Sequence, residues 1–178
     1  VVDVMPGKGF TFKLVDAGVV TTPAHTPHAE RLEDIYTSLK EIIEATKPDV
    51  FSVEKLFFTN NITTAMSVAE ARGVSLLVAK QANVPIFEYT PLQIKQTLTG
   101  YGRADKKQMQ EMVRVQLGLK EAPKPDDCAD ALAAALGVLA EAYLYRQEGL
   151  TFGGTFGAPV AQAYLRGSMK TRMSEAIV

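Results

Sequence analysis

The sequence predicts an α/β fold built on a mixed sheet, and three observations carry that prediction. Two strand-like runs around a turn open the chain, apolar strands then alternate with stretches of helical periodicity, and the last helical stretch is apolar on every face. Strands alternating with helices give a layered architecture, and a hairpin within it makes the sheet mixed rather than purely parallel. At 178 residues, with 47% hydrophobic and 22% charged residues, the chain fits one domain with a full core. That domain is expected over residues 1–147, with 148–178 as a flexible tail.

Residues 1–4 and 10–20 (FTFKLVDAGVV) are rich in β-branched and aromatic types and flank Pro6-Gly7-Lys8-Gly9, so they read as a hairpin. From His28 to Lys47 the apolar residues Leu32, Ile35, Tyr36, Leu39, Ile42 and Ile43 recur at three- and four-residue steps, an amphipathic helix that Pro48 ends. Val50, Phe51 and Val53 make a short strand closing on Glu54, and a second helix follows over residues 61–81, where small Ala and Gly residues permit close packing. Residues 84–89 form the next strand. After Pro91 a short helix reaches Leu98 and gives way to the loop Gly100-Tyr101-Gly102. Asp105 followed by Gln108 is a capping-box variant, opening a helix whose apolar face is Met109, Met112, Val113 and Leu117. Pro123-Lys124-Pro125 leads into the last long helix, residues 127–147. Its run from Ala131 to Ala140 holds no polar side chain, and such a helix is buried.

Composition narrows the chemistry. The sequence has no uninterrupted apolar run of membrane-spanning length and no basic segment leading into an apolar one at its start, so a cytoplasmic address is expected. One cysteine, Cys128, and two histidines make a thiolate or imidazole metal cage improbable, so any metal site is built from oxygen. A formal charge of −1 gives no global signal for a polyanionic partner, which must be argued from local patches.

Glu54 lies where an apolar strand ends, and ligands gather beyond the carboxyl ends of strands in open α/β sheets. On position alone it equally suits an exposed strand end paired with Lys55. Asp127 and Asp130, three apart, fall on one side of the first turn of the last helix. A helix cap explains one such aspartate. It does not explain Asp126, Asp127 and Asp130 together, because neighbouring carboxylates repel unless a cation sits between them, and a hard divalent ion takes oxygen ligands. Around these acids lie Lys95, Arg103, Lys106 and Lys107 beside a glycine loop, and Arg114 seven residues after Lys107. They suit phosphate binding, or else a solvated helix face interleaved with Asp105 and Glu111. Phe57 and Phe58 are core residues or, alternatively, supply a ring that stacks on an unpaired base. The tail carries Gly153, Gly154 and Gly157, then Arg166, Lys170 and Arg172.

Three blocks carry a resemblance: SVEKLFF with NxxTAMSVAEARGV at 52–74, FEYTPLQIKQTLTGYGRADKKQMQEMV at 87–113, and PKPDDCADALA at 123–133. In that order and spacing they resemble the RuvC family of Holliday junction resolvases, over about residues 1–140. The resemblance implies an RNase H-like fold, a homodimer matched to the two-fold symmetry of a four-way junction, and symmetric nicking by water activated at Mg²⁺ or Mn²⁺. It implies two cations per site, 5′-phosphate and 3′-hydroxyl products, and partnership with the RuvA–RuvB branch-migration complex. Glu54, Asp127 and Asp130 match three of the family's four acidic metal-binding positions, Lys106 matches a catalytic lysine near the cleaved phosphate, and Phe57 matches the base-stacking aromatic. Lys95, Arg103, Lys106, Lys107 and Arg114 are then the expected DNA contacts.

One departure stands against this pattern. Family members open with a strand close to GIDPG, whose aspartate lies at the centre of the metal site, and this chain starts at Val1-Val2-Asp3-Val4, which matches the strand after it. Asp3 is a poor substitute on that second strand, and residues 173–178 (MSEAIV) resemble the lead-in to the aspartate. The departure keeps a second reading open, a catalytically impaired junction-binding protein of the same fold. A third is another RNase H-like nuclease acting on RNA or on different branched DNA.

Overall fold

The computed structural model describes residues 1–5, 11–56, 62–148 and 172–175. Strand β1 (Val2–Met5) pairs antiparallel with β2 (Thr11–Leu14), the expected hairpin. Its turn at 6–9 lies outside the described residues. The second strand is shorter than the run 10–20 suggests, because Asp16 interrupts the ladder. The N–H groups of Val15 and Asp16 both turn to the carbonyl of Val1, and Ala17 N–H donates to Asp16 Oδ1 at 2.8 Å. An aspartate that hydrogen-bonds the backbone beyond it makes a turn where the apolar pattern alone would continue a strand.

Helix α1 (His28–Thr46) ends as Pro48 requires, with Lys47 in the left-handed conformation and its N–H donating to the Ile43 carbonyl at 2.8 Å. Strand β3 (Val50–Glu54), helix α2 (Ile62–Gln81), strand β4 (Ile86–Tyr89), helix α3 (Pro91–Thr99), helix α4 (Lys106–Gln116) and helix α5 (Asp126–Glu148) follow in the expected order. The Asp105–Gln108 capping box is present at α4. A second box, with Thr90 and Gln93 exchanging bonds around Pro91, opens α3. Among the described residues no helix is long and apolar enough to cross a membrane.

Among the described residues the sheet has five strands in the order β2-β1-β5-β3-β4, where β5 is Arg172–Glu175. These four residues lie in the segment expected to be a flexible tail; instead they form the central strand, parallel to β3 and antiparallel to β1. The basic and glycine-bearing positions of the tail from 149 to 171 lie outside the described residues.

Strand alternation divides the core. Val50, Phe87 and Tyr89 join the cluster of α3, α4 and α5, whereas Phe51 and Val53 join that of α1 and α2. Helix α5 runs against the first of these faces with Leu132, Ala135, Leu136, Val138 and Leu139 buried, as its apolar circumference requires.

Candidate active site

The same alternation aims Glu54. Residues two apart on a strand share a face, so Glu54 follows Val50 and Ser52 toward α5. Ser52 is fully buried, and its hydroxyl donates to the carbonyl of Ala134 at 3.0 Å, which fixes where β3 meets α5. From that contact, two residues along the strand advance about 6.6 Å and four back along the helix about 6 Å. Those steps lead to Glu54 and Asp130, and the two carboxylates therefore open on common clefts.

One cleft, of about 240 Å³, is lined by Glu54, Asp130, Lys95, Lys106 and the apolar Pro91, Ile94, Met109 and Ala133. The other, of about 620 Å³, has Glu54 and Asp130 at its border with Lys55, Arg31, Arg72 and the apolar side chains of Val19, Val20, Ile35 and Val53. Burial raises the Glu54 pKa above its ordinary value, the negative charge of Asp130 raises it further, and Lys95 opposes both. Glu54 is open to the clefts, yet the protein walls on either side replace enough water to disfavour its charge. Asp130 is raised for the same first reason, burial, with Lys106 opposing and Asp127 and Asp126 adding to the rise.

Helix geometry separates the aspartates. Asp126 stands four residues before Asp130 and Asp127 three before, so at 100° per residue they lie on opposite sides of it. Asp126 turns toward α4, where it accepts from Gln110 Nε2 at 2.9 Å and faces Lys106 Nζ at 3.3 Å. Lys106 also lies 3.8 Å from Asp130, and its pKa is raised, first by the hydrogen bond to Asp126 and then by the charges of Asp130, Asp126 and Asp127. Asp127 opens instead on a cavity of about 160 Å³ beside Val1, Asp16 and Leu39.

The expected trio is thus brought together in part. Glu54, Asp130 and Lys106 share one cleft with Lys95, and Asp127 is a helical turn away on the neighbouring cavity. Among the described residues no three carboxylate, imidazole or thiolate side chains converge as a complete metal-ligand cluster. The donor pair nonetheless fits a hard cation: two acceptor-only groups, half-buried and mutually repelling, with an ammonium beside them. Arg103 and Lys107 are exposed at the start of α4 and just before it. Arg114 is committed elsewhere, its guanidinium bonded to both oxygens of Glu111 and to the Leu119 carbonyl, where it closes the end of α4. Asp3 sits within β1, in register with Lys13 and Arg172, and Phe57 lies outside the described residues.

A group the sequence reading passed over is Arg72 on α2. Its Nε donates to the backbone carbonyl of Glu54 at 3.1 Å, and its terminal nitrogen pairs with Glu88 on β4. The signal available for it was a glutamate flanked by Phe87 and Tyr89 in an apolar strand, a position that calls for a cationic partner.

Crowded, half-buried carboxylates weaken the cation-free fold. A carboxyl whose pKa is raised by folding carries its full penalty above that raised value and none below the ordinary one, so this contribution to stability falls as pH rises between the two. Glu54→Gln should therefore melt higher than the parent at pH 7.5 in chelator, by about 0.5–1 kcal/mol after solvent screening. The difference should shrink toward zero near about pH 4. Thermal melts at both pH values check this, and equal melting at pH 7.5 would remove the penalty on charged Glu54, from burial and from Asp130, from the account.

The sequence matches the family model described as crossover junction endodeoxyribonuclease RuvC over residues 2–138. A crossover junction endodeoxyribonuclease RuvC of Chloroflexus aurantiacus is 56% identical over 124 residues, covering 70% of this chain and 76% of the relative. One from Desulfitobacterium hafniense is 55% identical over 129 residues, covering 72% and 78%. The Thermus thermophilus RuvC structure superposes with a TM-score of 0.74 at 38% identity, over 80% of this chain and 86% of that one. The T. thermophilus RuvC in complex with Holliday junction substrate superposes at 0.72 and 35% identity, over 80% and 85%. An RNase H-like sheet, acids meeting at the end of its strand β3, and sequence identity above half across most of two relatives agree, and the chain belongs to the RuvC family of crossover junction endodeoxyribonucleases.

Proposed function

We propose that this chain is a structure-selective endonuclease that resolves Holliday junctions in DNA recombination and repair, by symmetric metal-dependent nicking with Glu54, Asp130 and Asp127 as the metal ligands. The observation that carries the assignment of residues is the meeting of Glu54 and Asp130 across β3 and α5 in a cleft whose other charges are Lys95 and Lys106. Two acids whose proton affinity is raised by burial and then by neighbouring negative charge, that of Asp130 on Glu54 and of Asp127 and Asp126 on Asp130, are poised for a divalent cation, and two lysines on the rim complement a phosphodiester.

The ions implied are Mg²⁺, with Mn²⁺ as substitute, two per site; when bound they supply Lewis-acid stabilisation of the phosphate and activation of water. The chain's own groups do the rest. Glu54 and Asp130 hold their positions through the buried Ser52–Ala134 contact, so the donor geometry is set by strand and helix rather than by loops. Lys106, exposed and already shared between Asp126 and Asp130, exchanges an aspartate for the scissile phosphate at little cost. Lys95, Arg103 and Lys107 bind the backbone of the junction arms, and Phe57 stacks on an unpaired base at the crossover. Arg114, folded onto Glu111, is the weakest member of the proposed contact set. A homodimer presents two such sites to the two symmetric strands, the RuvA–RuvB complex is the protein partner, and the chain works in the cytoplasm with its DNA.

The test is a nicking assay on a synthetic mobile four-way junction with Mg²⁺ or Mn²⁺, with linear duplex alongside. Symmetric cuts confined to the junction and lost in Glu54→Gln are expected. Junction binding without any cutting by the parent chain would instead favour the impaired junction-binding protein.

A further inference from the structure

We propose that Arg72 is a positioning residue for the site, locking the peptide unit that aims Glu54; this rests on the reading of Glu54 as a metal ligand. The peptide between Glu54 and Lys55 is held from both sides. Its N–H donates to the Tyr89 carbonyl on β4 at 2.7 Å, and its C=O accepts from Arg72 Nε at 3.1 Å. Both polar ends of one rigid plane are fixed, so ψ of Glu54 is fixed, and with it the direction in which its side chain leaves the strand.

The arginine is itself anchored. Strand alternation turns Glu88 to the face of α2, opposite Val53 in the β3–β4 register, and its carboxylate pairs with the Arg72 terminal nitrogen. Only 21% of the Arg72 side chain is exposed, so water competes weakly for its donors. Arg72 therefore uses one edge of its planar fork on Glu88 and another nitrogen on Glu54, a two-point grip that a lysine ammonium on a flexible stem does not reproduce. Glu54 is the last residue of β3, the point where a strand frays first once its ladder ends. The grip holds the Glu54 carbonyl there from the α2 side. Groups that orient a metal ligand typically change metal affinity or activity 10- to 100-fold when altered.

The experiment compares Arg72→Lys, Glu88→Gln and Glu54→Gln with the parent for junction affinity, melting temperature, turnover as a function of Mn²⁺, and amide exchange at Lys55. Arg72→Lys is expected to bind the junction as the parent does and to exchange the Lys55 amide faster. It should turn over about 10- to 100-fold more slowly at limiting Mn²⁺, with recovery toward saturation. Glu88→Gln, which removes the ion pair but leaves the bond to Glu54, should melt lower and keep turnover within about threefold, so it serves the test even where Arg72→Lys folds poorly. Equal losses of turnover in the two variants would make the ion pair, not the grip on Glu54, the operative contact and overturn the inference. A loss of junction affinity in Arg72→Lys would do so too, by making Arg72 a DNA contact. Full nicking by Arg72→Lys with Glu54→Gln inactive overturns this inference alone. Full nicking by Glu54→Gln overturns the metal-ligand reading and this inference with it.

Discussion

Replacing Asp130 with Asn should lower junction nicking by at least about 1,000-fold, equivalent to about 4 kcal/mol of transition-state stabilisation, while leaving junction binding unchanged or tighter. The substitution keeps the size of the side chain and removes the charge that, with Glu54, makes the cleft attractive to a divalent ion. Folding should survive, because burial and the nearby Asp127 and Asp126 already disfavour the ionised form of Asp130. Binding should tighten if anything. One negative charge fewer faces the phosphates, and Lys106, now answering to Asp126 alone, is freer to meet them. Asp126→Asn is the control. Asp126 is exposed, bonded by Gln110 and turned toward α4, so its loss should change nicking by less than about fivefold. Single-turnover nicking and a gel-shift titration at fixed salt read both quantities. Loss of binding in Asp130→Asn with an unchanged melting temperature would contradict the ligand assignment.

The sequence carried the site further than it carried the sheet. Glu54 and Asp130 were legible because each sits at a position with a physical signature: a polar residue closing an apolar strand, and an acid heading a helix that must be buried. Their meeting was not legible, since it depends on the Ser52–Ala134 contact across 82 residues of chain. The early end of β2 was missed because apolar alternation continued through Asp16, whose side-chain bond to the backbone outweighs β propensity. The difference between Asp126 and Asp127 follows from helical phase once the direction of Asp130 is known, and that direction is a tertiary fact. Arg114 looked like a DNA contact by spacing, and only the structure reveals that its donors are taken by Glu111 and Leu119.

The largest departure, the central strand β5, leads to the other strong expectation: removal of residues 172–178 should abolish cooperative folding. Among the described residues, β5 is what joins the β1–β2 hairpin to the β3–β4 pair, through register partners Val2 and Asp3 on one side and Val50, Phe51 and Ser52 on the other. It stands between β1 and β3 and runs parallel to β3, toward the end of the sheet that carries Glu54, which agrees with the likeness of 173–178 to the lead-in of the family's GIDPG strand. Taking it away strands backbone groups on both neighbours. Each lost hydrogen bond forfeits about 0.5–1.5 kcal/mol net, and a buried group left unpaired costs about 1–3 kcal/mol more. Several such losses reach the whole stability of an ordinary domain, about 5–15 kcal/mol. The buried contacts of Val2 and Val50 with α5 would loosen at the same time, and with them the support under Glu54. A chain ending at residue 171 should therefore show no cooperative thermal transition, and no nicking. Cooperative melting within about 3 °C of the full chain would mean that β1 and β3 close on each other without it, a shift that drags the hairpin about one strand spacing, 4.8 Å, across the face of α5. Nicking separates the outcomes: a re-closed sheet keeps Glu54 opposite Asp130 and stays active, whereas a sheet split at β5 loses the cleft before it loses its helices.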